Sequence, residues 1–207
     1  PAVQKVQAYL ESKGYEVLVF HATGTGGKCM ESLINGGFIN GVLDLTTTEW
    51  CDEIAGGVLN AGPDRCSAAA LNGVPAVVSV GADDMVNFGP WNTVPEHYQG
   101  RNLYRHNPTV TLMRTTVEEN EKIGHAIASK VNMSIGPCAV MLPLKGVSMI
   151  DAEGQPFYAP EEDAALFKTL GEEIDPTKAE LIEIGTHVND DEFAIAAAQK
   201  LIDLMNK

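Results

Sequence analysis

The sequence predicts a doubly wound, Rossmann-like α/β fold, with a mainly parallel sheet of about five to six strands and helices on both faces. Three observations carry this. Apolar runs such as EVLVFHA (16–22), PAVVSV (75–80) and CAVMLPL (138–144) lack polar alternation, so they read as strands buried on both faces. The segments between them space their apolar residues at three and four, as amphipathic helices do. The two kinds of segment then alternate along the chain, the pattern of parallel sheets with crossover helices.

In order, residues 2–12 (AVQKVQAYLES) form a helix with Val3, Val6 and Leu10 on one face, ended at Gly14. No strand precedes it in an otherwise alternating pattern. The chain is therefore expected to be one domain, residues 1–207, forming the C-terminal half of a longer two-domain protein. EVLVFHA is the first strand, and residues 27–37 are the next helix, with Met30, Leu33, Ile34 and Phe38 at helical spacing. GVLDL (41–45) is the second strand. Thr46–Glu49 has capping-box spacing and starts a helix through Ile54. AGPDRCSAAALNG (61–73) reads as a helix begun by proline and stopped by glycine. PAVVSV is the third strand. Residues 81–114, rich in Pro, Gly and Asn, read as irregular. Thr116 and Glu119 cap a helix carrying Ile123, Ile127 and Val131 on one face. CAVMLPL, a helix over 160–174, AELIEIG (179–185) and a helix over 191–205 complete the pattern.

The 207 residues are 44% hydrophobic and carry a net charge of −14. Such an acidic chain is unsuited to phosphate backbones or anionic membrane surfaces, so neither nucleic acid nor membrane is an expected partner. The four cysteines, Cys29, Cys51, Cys66 and Cys138, are scattered without CxxC spacing. They read as free thiols in a reducing, cytoplasmic setting rather than a metal site or disulfide framework. Cys29, beside Met30, reads as a packed thiol.

Ligands of open α/β sheets sit outside the carboxyl ends of the strands, which sorts the polar residues by position. After the first strand comes HATGTGGK: His21, Thr23, Gly24, Thr25, Gly26, Gly27 and Lys28. A glycine loop opening a helix lets backbone amides approach an anion. The loop departs from the dinucleotide and phosphate-loop fingerprints at Cys29, and from the latter also at Ala22. The alternative is a tight turn that allows close packing. Thr46, Thr47 and Thr48 follow the second strand, Asp83 and Asn87 the third, and Lys145, Gly146 and Ser148 the fourth. All join the glycine loop as candidate ligand-binding residues, Lys145 as a counter-charge for phosphate or carboxylate. His21 and His187, at the ends of the first and last strands, are the candidate acid–base groups. No spacing links them to a carboxylate in the manner of a metal site, and no metal is expected. The segment 85–114 holds three of the four arginines plus aromatics. It reads as a subunit contact through Trp91, Arg101, Tyr104 and Arg105.

The run HATGTGGKCMESLI, followed by GVLDLTTTE, AGPDR, GADDMVNFG, LYRHNPTVTLMRTT, LPLKGVS and THVND, resembles the C-terminal domain of the tobamovirus-resistance-protein-like ATP-binding family of bacteria, fungi and plants. The resemblance spans essentially the whole chain. It implies two Rossmann-like halves, with ATP bound largely by the N-terminal one, and a protein that self-associates as a homodimer. It names no reaction. The leading expectation is thus a domain that binds a small anionic ligand or nucleotide, part of a protein of unassigned reaction. The alternatives are a non-catalytic dimerisation or protein-interaction module and, more weakly, a metal-assisted hydrolase using His21, His187 and a carboxylate.

Overall fold

The computed structural model describes residues 2–207. Helices α1 (Ala2–Ser12) and α2 (Thr25–Asn35) precede strand β1 (Val42–Thr46). Helices α3 (Glu49–Ala55) and α4 (Ser67–Asn72) lead to β2 (Ala76–Gly81). A meander of β3 (Met85–Phe88), β4 (Leu103–Asn107) and β5 (Val110–Arg114) follows. Then come α5 (Val117–Val131), β6 (Cys138–Pro143), α6 (Pro160–Glu173), β7 (Glu180–Ile184) and α7 (Asp191–Met205).

The main sheet is parallel, in the order β1-β2-β6-β7. Its two central strands are buried at every residue, as unbroken apolar runs require. Helices cover both faces. One core joins α2 through α6 to Val42, Val78, Val80, Val140 and Leu142. The other joins α1 and α7 to Leu45, Val77, Ala139 and Met141. The strict side-chain alternation of a strand divides these residues between the layers.

Three expectations are corrected. The run EVLVFHA forms no regular element and no ladder with β1, so four strands are paired rather than five to six; Leu18 and Val19 are exposed. The segment 81–114 is not irregular: β3, β5 and β4 form a separate antiparallel sheet, with two short 3₁₀ turns between β3 and β4. Its strands are four or five residues long, β3 and β5 are mostly buried on both sides and β4 is mostly exposed, so no clear period-two signal arises. The capping box at Thr46–Glu49 does not form, because Thr48 caps α3 without a side-chain bond. The box at Thr116 and Glu119 forms in both directions and starts α5.

Candidate functional site

The loops that leave the carboxyl ends of the strands are tied by a continuous polar seam. It begins at the glycine loop. Gly24, at φ 78°, turns the chain into α2. The amides of Gly24 and Gly27 donate to one oxygen of Glu49, at 2.7 and 3.2 Å. The anion at this helix start is therefore the protein's own carboxylate. A side chain at Gly27 would overlap the Glu49 carboxylate, and one at Gly26 the carbonyl of His21. Both glycines are thus demanded by close approach.

The other oxygen of Glu49 accepts from Arg65, which is 3% exposed. Arg65 also grips Asp44 with both terminal nitrogens, one at 2.7 Å, and reaches Glu31 at 3.3 Å and the Thr46 carbonyl at 3.5 Å. Burial disfavours its charge, but the carboxylates, Asp44 foremost, outweigh that and hold it protonated. Glu31 in turn accepts from the amides of Cys66 and Ala68 at the start of α4. Burial pushes the Glu31 carboxyl up, against those amides and Arg65. One buried cation thus gathers three carboxylates from β1, α2 and α3.

The seam continues at Thr47, whose hydroxyl lies 2.8 Å from the Ser79 carbonyl and 3.0 Å from Asp83. Burial holds Asp83 well above the usual carboxylate range, reinforced by the charges of Asp84 and Asp44. Protonated, Asp83 donates to Thr47, which donates onward to Ser79; one hydroxyl serves both contacts. Asp84 accepts from the Ser148 hydroxyl at 2.7 Å, and its other oxygen is buried without a partner. Burial lifts its carboxyl to about 6, against Ser148 and Arg114. The Ser148 carbonyl faces His187 Nε2 at 2.8 Å, while the amide of Asn189 donates to His187 Nδ1 at 3.0 Å. These contacts set the tautomer with the proton on Nε2. Gly146, at φ 128°, packs directly against the His187 ring.

Two further carboxylate sites flank the seam. Asp52 binds the amides of Leu59 and Asn87 and the Asn87 side chain, and burial raises it to about 6. Arg114, 4% exposed, bonds Asp151, Asp163 and the Phe157 carbonyl. Burial, followed by the charge of Asp163, raises Asp151 to about 8. Ala82 and Cys66, the two described non-glycine residues at positive φ, lie beside Asp83 and Arg65. Such backbone strain is characteristic of functional edges.

The candidate residues separate accordingly. Thr47, Thr48, Asp83, Asn87, Gly146 and Ser148 are buried within or beside the seam, while Thr46 is half-buried. His21, Thr23, Thr25, Lys28 and Lys145 are exposed along the same edge. His187 is half-buried with both ring nitrogens engaged, and His21 is not joined to it. Among the described residues no three His, Cys, Asp or Glu side chains are grouped to hold a metal ion. Cys29 is exposed rather than packed, because it falls on the solvent side of α2; all four thiols are free. On the meander, Arg101 pairs with Glu119 at 2.7 and 3.1 Å and is spent internally. Arg105 is exposed and stacks over Trp91, 5.2 Å from its ring centre, and Tyr104 meets Phe157 edge-on. The sequence reading leaves out Glu31, Asp52, Arg65, Asp151 and Asp163, and takes Glu49 only as a capping partner at a strand end. Arg65 alone left a signal, as the one arginine outside residues 101–114.

Residues 1–205 match the family described as the C-terminal domain of an uncharacterised protein family, UPF0261. A UPF0261 protein of Clostridium tetani is 60% identical over 205 residues, covering 99% of this chain and 51% of that protein. One from Rhizobium meliloti is 51% identical over 93% of this chain and 48% of its own length. The ToMV resistance protein Tm-1(GCR237) of Solanum lycopersicum is 45% identical over the whole chain and 28% of its own length. The chain spans about half the length of the bacterial relatives it matches.

Proposed function

The chain belongs to the UPF0261 family through its C-terminal domain, and from that premise we propose that it is the ligand-binding half of a two-domain, nucleotide-dependent protein. It takes a small anionic ligand at the carboxyl edge of the parallel sheet, while ATP is held mainly by the other half. The observation that carries this reading is the presence of two exposed lysines, Lys28 at the glycine loop and Lys145 after β6, at the carboxyl edge of the sheet. The amides of Gly24 and Gly27 are taken by Glu49 and hold the loop in place. The polar seam beneath fixes the loops, and the two lysines supply the external cations.

The test is titration of the full-length protein with ATP, phosphate and small carboxylates. Lys28→Ala and Lys145→Ala are each expected to weaken anion binding roughly tenfold, the effect of one lost charge-assisted hydrogen bond. Affinity unchanged in both variants would rule out this edge. A second reading, a homodimerisation module, is favoured by the exposed stack of Arg105 on Trp91. Arg105→Ala would then shift the sedimentation profile and leave ligand affinity alone.

A further inference from the structure

A cavity of about 410 Å³ lies between the segment 15–22 and β1. Its walls are two unbroken runs, Tyr15 through Ala22 and Phe38 through Thr46. Successive side chains of a strand point to opposite faces, so a cavity over one face touches every second residue. Contact with every residue of both runs means that backbone edges face it. Further lining comes from the two helix layers, Val6, Leu10 and Leu201 on one side and Met30 on the other, and from Arg65 in the turn before α4. The cavity is therefore a gap in the plane of the sheet. The amide of Val42 donates to Pro75, towards β2, so alternation turns the Leu43 amide into the gap.

The handedness of the fold identifies what fits there. The connections from 15–22 to β1, β1 to β2, β2 to β6 and β6 to β7 all step the same way, with their helices in one layer. Helix α1 lies in the opposite layer, packed on α7. Parallel crossovers are right-handed in about 98% of cases, so one on the opposite face steps in the opposite direction. A strand that feeds α1 and returns through 15–22 must then lie on the β1 side of 15–22, which is where the gap is. We infer that the gap receives a parallel β-strand from the N-terminal part of the longer protein, outside this chain. The chain matches a C-terminal domain and spans about half of its bacterial relatives, so there is chain to supply it. The sheet becomes six-stranded, and its order reverses between the inserted strand and β1. That reversal lies beside Gly24–Lys28 and Thr46–Glu49, where open α/β sheets form their ligand crevice. The inference is independent of the ligand reading.

Hydrogen exchange of the full-length protein tests it. The Leu43 amide is expected to exchange about 100-fold more slowly than in a full-length variant whose ten residues immediately before this chain are replaced by a Gly-Ser linker. The amides of Val78 and Val140 should stay protected in both. Fast exchange at Leu43 in the intact protein, or protection that survives the linker, would overturn the inference. Protection that depends on concentration would do the same, assigning the gap to a second copy. If the linker variant does not fold, cysteine pairs between Val17–Phe20 and Val42–Leu45 in the intact protein give a second readout. With a strand between them, the two segments lie roughly 10 Å apart and no pair closes into a disulfide. Closure of any pair would show that 15–22 itself packs against β1.

Discussion

Arg65 is the residue on which the carboxyl edge turns. Removing it leaves Glu49, Asp44 and Glu31 crowded without a cation, so Arg65→Met is expected to cost about 3–5 kcal/mol at neutral pH, read from urea unfolding. The buried acids make a further prediction. Asp52 and Asp84 are lifted to about 6 and Asp151 to about 8, whereas unfolded aspartates titrate near 3.8. Carboxyls raised in the folded state contribute stability that is present at low pH and lost as pH rises through the folded values. Stability should therefore fall from pH 5.5 to 8.5, and between pH 6 and 8 Asp151 alone accounts for up to about 1 kcal/mol per unit. Asp151→Asn should flatten that upper stretch whatever its baseline, and a stability that rises over this range would contradict the assignment. None of this is legible in sequence. Glu31, Asp44, Glu49 and Arg65 are spread over 35 residues, and only the fold makes them neighbours.

Elements were readable where one physical signal dominated. The buried strands β2 and β6 and the capped helix α5 follow from apolar runs and from Thr116 with Glu119. Thr116→Ala should accordingly cost about 1 kcal/mol, the usual worth of a cap, by thermal or denaturant unfolding. The glycine loop is legible as the turn into a helix, though no paired strand precedes it, and its internal anion is not foreseeable. Glu49 reads as a capping partner three residues from Thr46, and instead it turns to Gly24 and Gly27. Gly27→Ala should open this contact, since the new methyl would sit 2.7 Å from the Glu49 carboxyl carbon. A loss of more than about 1 kcal/mol is expected, and a neutral result would mean that Glu49 moves freely. The meander of β3, β4 and β5 stayed hidden because its short strands expose most of β4 and are broken by Pro-rich turns.

At the scale of the whole molecule, alternation of strands and helices sufficed for the fold class, because a parallel sheet buried on both faces leaves little else for such a pattern to form. The strand EVLVFHA was the exception. It forms no ladder, and the cavity beside it is where the inferred strand would pair. The seam from Glu49 through Asp83 and Asp84 to His187 crosses every strand of the parallel sheet and fixes four loops in one surface. This surface, rather than the meander with Arg105 and Trp91, is the proposed ligand site. Hydrogen-exchange mapping of the full-length protein with and without ATP and small carboxylates tests it most directly. Slowed exchange is expected in residues 23–28 and 145–148, with 103–114 unchanged. Slowing confined to 91–114, with the strand-end loops unaffected, would contradict it.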